Sequence, residues 1–272
     1  MLLFCVWMAA LLLIGWWLAE PTLIAWRRRK LRALPFPAAW RDILKQRVPY
    51  VRQLPADLQL QLKKHIHVFL AEKEFIGCAG LQISDDIRVT IAAQACLLLL
   101  NRRTDYFAGL RYVMVYPDSF MVQRVHNDAA GVLHEQRQVL AGESWQQGKV
   151  ILSWQDVLHG AAMTDDGRNV VIHEFAHQLD QEDGQANGLP ILGRREFQRR
   201  WTEVFTREYA VLQQQAAQRQ ESLLDHYGAT NEAEFFAVAS ETFFERSLRL
   251  ANEHPALYEL LSKYYRINPL SW

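Results

Sequence analysis

The segment Asn169-Val170-Val171-Ile172-His173-Glu174-Phe175-Ala176-His177-Gln178-Leu179-Asp180 constrains this chain more than any other. It reads H-E-x-x-H, with mostly apolar residues around the motif. Four residues are close to one helical turn, so both imidazoles leave the same face of an α-helix and one cation can take a lone pair from each. Zinc accepts neutral imidazole nitrogens in a tetrahedral set and, at catalytic sites, keeps one position for water. Glu174, next to the first histidine, is placed to accept a proton from that water. Val170, Val171, Ile172 and Leu179 predict a helix buried beneath a sheet, where low dielectric strengthens such chemistry. Asp165 or Asp166 is expected to cap its start, and Gly184 to end it.

Such a site needs a third protein ligand. Residues 230–245 form a second apolar helical pattern that carries Glu234, Glu241 and Glu245 at spacings of seven and four, along one stripe. Carboxylates inside an apolar helix need partners when buried, and a metal or its histidines supplies them. Spacing alone leaves Glu234 and Glu241 equally eligible. Asp180, three residues after His177, and Glu241 are both candidates to accept a hydrogen bond from a ligand imidazole and set its tautomer. The other seven histidines, from His65 to His254, show no ligand spacing and are read as structural or exposed.

The rest of the chain predicts an α+β fold, helix-rich with a small sheet over the active-site helix. Apolar residues Leu58, Leu62, Ile66 and Leu70 recur at helical spacing, and residues 87–100 read as a buried core helix. Residues 111–116 and 148–154 are rich in β-formers; within the second, residues 150–154 are expected to be an edge strand along which an extended peptide pairs. Lys+Arg and Asp+Glu both number 30, so there is no basic excess of the kind a nucleic-acid binder shows. The three cysteines, Cys5, Cys78 and Cys96, form no C-x-x-C pair and are expected to be free thiols in a reducing compartment.

The N-terminus adds a separate expectation. Residues 1–19 carry no charge, and Arg27-Arg28-Arg29-Lys30 follows a second short apolar piece. About 18 apolar residues are enough to cross a bilayer as a helix. The charge lies after the apolar run rather than before it, and Trp16, Trp17 and Trp26 suit a membrane interface. Residues 1–30 are therefore expected to be an inner-membrane, single-pass anchor with its basic flank in the cytoplasm, followed by one domain over 31–272. Residence in the cytoplasm without an anchor is the alternative. Leu34-Pro35-Phe36-Pro37 reads as the hinge between the two.

The stretch from His173 to Asp180, the downstream segment 232–244, Gly142-Glu143-Ser144-Trp145 and residues 150–154 together resemble the Mlc titration factor A family of bacterial zinc metallopeptidases. The resemblance runs from about residue 40 to the C-terminus. It implies a zincin-like domain with a catalytic core similar to that of anthrax lethal factor, and one catalytic zinc ion. The family's third ligand is a glutamate in an A-E-x-F-A context, here Ala233-Glu234-Phe235-Phe236-Ala237, so the resemblance selects Glu234. A family tyrosine seven residues before that glutamate corresponds to Tyr227, whose implied role is to donate a hydrogen bond to the developing oxyanion. It also implies an aminopeptidase-like activity on a peptide or protein substrate, and binding to an Mlc-like transcriptional repressor of sugar uptake. The family's familiar members lack a hydrophobic N-terminal segment, so compartment and partner do not carry over with the chemistry. The alternatives are a non-catalytic protein that sequesters a regulator and a membrane-anchored processing endopeptidase.

Overall fold

Helical periodicity dominates the computed structural model, which describes the backbone of residues 2–127, 133–140, 142–145, 148–163 and 165–272. Within 2–18, side chains are described only at 4, 7, 8 and 15–17, and none are described across 120–147. The elements run α1 (Leu2–Ala33), α2 (Ala38–Arg47), α3 (Ala56–Glu72), β1 (Glu74–Gly77), α4 (Asp85–Leu97), β2 (Tyr112–Tyr116), β3 (Phe120–Asn127), β4 (Leu133–Leu140), β5 (Gly142–Trp145) and β6 (Lys149–Ser153). They continue with α5 (Trp154–Ala162), α6 (Val170–Asp180), α7 (Arg195–Gln218), α8 (Glu232–Glu245), α9 (Ser247–Glu253) and α10 (Pro255–Tyr265). The helix expected around Leu58–Leu70 is α3, and the buried core helix is α4, whose residues from Val89 to Leu97 are all buried.

The sheet is small, as an α+β chain predicts, but its interior is parallel. Strand order is β1-β2-β6-β5, with β1, β2 and β6 parallel and β5 antiparallel to β6. Parallel neighbours need a crossover connection, and α4 supplies it between β1 and β2. The expected edge strand at 150–154 is a correction: β6 lies between β2 and β5, bonded on both sides, and Trp154 already begins α5. Val150 and Leu152 are buried, as befits an interior strand. The edges are β1 and β5, and β5 packs beside α6. Strands β3 and β4 pair as a separate antiparallel hairpin, from Phe120 opposite Leu140 to Asn127 opposite Leu133.

Helix α6 runs through the core between this sheet, α4 and α8. Its apolar face (Val171, Ile172, Phe175, Ala176, Leu179) is almost fully buried, and Phe175 meets the rings of Phe69 and Phe107 at 5.6 and 4.9 Å between centroids. Each such ring removed from water contributes about 1.5–3 kcal/mol, so the motif helix is held by packing more than by its own propensity.

Helix α1 continues unbroken through the expected boundary at residue 30, with Pro21 inside it. Arg28 of the basic flank turns inward: its guanidinium bonds Glu72 at 2.7 Å, pairs with Asp105 and lies 4.9 Å from the centre of the Tyr106 ring. The expectation of a membrane-crossing anchor rests largely on residue 1 and on side chains between 2 and 18 that lie outside the described residues. Among the described residues, no helix is long and apolar enough to cross a membrane. Cys96 is buried and Cys78 partly so, both as free thiols; the side chain of Cys5 lies outside the described residues.

Candidate active site

The start of α6 is set by Asn169. Its Oδ1 accepts from the Ile172 backbone N–H at 3.0 Å, the N-cap bond that satisfies one of the helix's first free donors. Neither Asp165 nor Asp166, the caps expected from sequence, takes this place. The Asn169 amide also donates to Gln94 Oε1 on α4 at 2.9 Å and to the Gly160 carbonyl on α5 at 3.1 Å. Gly160 permits this close approach, because a Cβ there would sit 3.0 Å from Asn169 Cα and Cγ and press the asparagine away. At the other end, a short 3-10 turn over Gln181–Asp183 follows α6, and Gly184 closes that turn with φ 91°. Gly184 thus ends the extension rather than the helix itself.

Helix α8 brings the carboxylates. Asn231 caps it by accepting from the Glu234 N–H at 2.9 Å, which fixes Glu234 in the first turn. Glu234 Oε2 lies 3.0 Å from His173 Nε2 and 3.2 Å from His177 Nε2, and the two Nε2 atoms are 3.2 Å apart. Four ligands at zinc's usual bond length of about 2.05 Å stand roughly 3.3 Å apart in a tetrahedron, so this triangle of donors fits one face of such a site. The donor chemistry fits as well. Three lone-pair atoms turned toward one point repel each other unless a cation or protons lie among them. Among the described residues these three alone form a group of that kind.

Glu241, two turns further along α8, bonds His173 Nδ1 at 2.7 Å through Oε1 and accepts from the Asn169 backbone N–H at 2.6 Å through Oε2. A carboxylate acceptor makes Nδ1 a protonated ring nitrogen, so that Nε2 is the one able to give its lone pair to a cation or to carry a second proton toward Glu234. The charges are mutually reinforcing. Burial opposes the charged form of His173, but Glu241 and Glu234 outweigh it and raise the imidazole well above its ordinary value. Burial likewise opposes an ionised Glu234, yet hydrogen bonds from His173 and His177 hold it far below the usual carboxylate range.

Two further groups border the triangle. Glu174 is 5% exposed and shares the helix with both histidines. Tyr227 sits on a 3-10 turn over His226–Ala229 that Asp225 caps, with its ring centre 6.0 Å from that of His173. It is 43% exposed, so its phenol borders solvent as well as the histidine. Asp180 lies near His177 at the end of α6, and its Oδ2 accepts from the Gly188 N–H at 2.8 Å, binding down the loop that follows. Burial pushes its carboxyl up to about 6, against the Gly188 hydrogen bond and the charge of His177. Sequence reading missed Asn169, Gly160 and Gln94. Only Asn169 had a legible signal, an asparagine directly before an apolar periodic run.

Comparison with known proteins supplies an independent line. A sequence model of the family described as glucose-regulated metallo-peptidase M90 matches residues 23–266. A Synechocystis protein, slr2042, is 42% identical over 251 residues, 92% of this chain and 91% of its own length. Proteins named Mlc titration factor A match at lower identity: that of Klebsiella pneumoniae subsp. pneumoniae is 34% identical over 82% of this chain and 84% of its own, and that of Salmonella agona 34% over 85% and 86%.

Proposed function

The chain belongs to the glucose-regulated metallo-peptidase M90 family, and from that premise we propose that it is a zinc-dependent peptidase acting at His173, His177 and Glu234. The observation that carries this reading is the convergence of those three donor atoms within 3.2 Å of one another, with Glu241 fixing the His173 tautomer from behind. A zinc ion held there would supply Lewis acidity, polarising the scissile carbonyl and lowering the pKa of water. Glu174 takes the proton from the attacking water and returns it to the leaving amine. Tyr227 donates a hydrogen bond to the carbonyl oxygen as negative charge builds on it. Strand β5, the sheet edge beside α6, offers backbone groups along which an extended peptide can pair.

The test joins metal analysis of purified protein with hydrolysis of aminoacyl and internally cleaved peptide reporters, in wild type and Glu174→Gln. One zinc per chain is expected in both, with turnover in wild type reduced at least about a thousandfold in the variant. Unchanged turnover removes Glu174 from its role. Preference for aminoacyl reporters supports the aminopeptidase reading, and preference for internal bonds the endopeptidase one.

The name Mlc titration factor A, carried by the Klebsiella and Salmonella relatives, favours a second reading, in which the chain binds an Mlc-like repressor. Capture of such a repressor by metal-free protein, with zinc bound but no turnover in the loaded form, supports sequestration over catalysis. Attachment of α1 to a bilayer is a separate proposal, supported by the exposed rings of Trp7, Trp16 and Trp17 and by Arg27, Arg29 and Lys30 after them.

A further inference from the structure

Tyr227 stands on a short turn, His226–Ala229, and the bonds around that turn set where its side chain starts. Asp225 caps it: Oδ1 accepts from the Tyr227 N–H at 2.9 Å, and the Asp225 carbonyl from the Gly228 N–H at 3.0 Å. The Tyr227 carbonyl accepts from the Thr230 N–H at 3.1 Å and from Thr230 Oγ1 at 2.7 Å. A Cβ on Gly228 would lie 3.1 Å from Leu212 Cδ2 and 3.2 Å from Val238 Cβ, so the turn rests directly on α7 and α8. An aspartate that accepts from the backbone two residues on sets the chain direction there, and with it the Cα–Cβ bond of Tyr227.

The second oxygen of Asp225 leaves the turn. Oδ2 accepts from Arg168 Nη2 at 3.1 Å, across 57 positions of sequence. Arg168 immediately precedes Asn169, whose backbone N–H is held by the same Glu241 that holds the His173 ring. The loop carrying the arginine is itself fixed. The Arg168 N–H donates to Asp166 Oδ1 at 2.9 Å, and Arg246 Nε donates to the Asp165 carbonyl at 2.7 Å. One carboxylate and one guanidinium therefore connect the tyrosine turn with the start of the helix that carries the imidazole. The Arg168 and Asp225 side chains are 74% and 38% exposed, so the pair is a surface bridge with little to add to folding. Catalysis is more demanding, because a displacement of about 1 Å at a reacting group lowers rate far more than stability.

We propose that Asp225 and Arg168 are positioning residues for Tyr227: Asp225 sets the turn, and Arg168 ties it to the start of α6, holding the phenol beside His173. The proposal rests on the reading of Tyr227 as the oxyanion donor, so its test has one readout without turnover and one with it. Fluorotyrosine incorporated into the full chain gives a fluorine NMR line for Tyr227, assigned by its absence in Tyr227→Phe and visible without metal. Arg168→Ala should shift or broaden that line, as should Asp225→Asn, which keeps a capping side chain. Arg168→Lys should move it less. Lys263→Ala, which removes a similarly exposed charge from α10, should leave it in place. In the zinc-loaded chain, Arg168→Ala and Asp225→Asn should each lower kcat about two- to fivefold with KM nearly unchanged. Neither should lower it further in a Tyr227→Phe background, because both act through that ring. An unmoved fluorine line in the two variants overturns the proposal, and so does an additive loss of kcat in that background. Wild-type kcat in Tyr227→Phe would instead remove Tyr227 from the reaction, and with it the kinetic half of the proposal, while the fluorine line still decides the tie.

Discussion

Glu241 uses its two oxygens on two elements: one holds the imidazole of His173 and the other the backbone of Asn169, so the ring and its helix start are located together. Glu234, seven residues earlier on the same stripe, faces both Nε2 atoms instead. Spacing left these two glutamates interchangeable; the resemblance chose between them, and the structure places Glu234 at the triangle. Tyr227 is the most accessible of the proposed groups, and its removal should be nearly silent in the folded protein. Tyr227→Phe is expected to lower kcat about a hundredfold while zinc content and melting temperature stay unchanged, read from steady-state kinetics beside metal analysis. Glu245 makes a pH-dependent prediction of the opposite kind. Its folded-state pKa is raised from 4.5 to about 8, so the folded chain holds a proton that the unfolded chain releases. Wild type therefore loses stability as pH rises through that window, and a glutamine does not. Glu245→Gln should match wild type near pH 4 and exceed it by about 4 kcal/mol at pH 8, measured by urea titration across the range.

Among the elements, α6 is where local and long-range causes meet. Its apolar face and its histidine pair were legible in residues 169–180, because both depend only on helical periodicity. The cap was misplaced onto Asp165 or Asp166, because side-chain type does not reveal which residue leaves the helix with extended backbone; Asn169 does, at φ −142° and ψ 98°. Asn169 also joins α4 and α5 to the site helix through Gln94 and Gly160. Asn169→Ala is expected to cost about 1–3 kcal/mol of unfolding free energy, since it removes a cap and strands the Gln94 carbonyl. It should also weaken zinc about tenfold or more in chelator competition, as His173 loses its fixed approach. Retention of wild-type zinc affinity despite lowered stability would limit Asn169 to a structural role. The β elements show the other failure. A run such as residues 148–154 looks alike at an edge and in the interior, and only the strand order puts β6 inside and β5 at the rim.

At the scale of the whole molecule, the side-chain contacts described for α1 gather at its C-terminal end. Arg28 ties its C-terminal half to Glu72 of α3 and to Asp105, whereas Trp7, Trp16 and Trp17 stay about two-thirds exposed. A clean division at residue 30 therefore cuts through a helix that contributes to the folded body. Deleting residues 2–22 keeps the Arg28 contact. It is expected to leave reporter hydrolysis within about twofold of full length while abolishing co-flotation with anionic vesicles. Persistent flotation of the shortened chain would move any membrane contact to another surface.

What the amino-acid sequence determined by itself was whatever a short periodic stretch encodes: the motif helix, the acidic stripe of α8, the helices α3 and α4 and the presence of strands at β2 and β6. Tertiary structure decided what depends on neighbours distant along the chain. It brought Glu234 to within 3.2 Å of both histidines across more than fifty residues, and turned Glu241 to the reverse side of His173. It also used Asp180 to hold a loop and joined three strands in parallel through a crossover. Hydrogen-bond partners and strand order are long-range choices, settled by packing the whole core, and no window of sequence contains them.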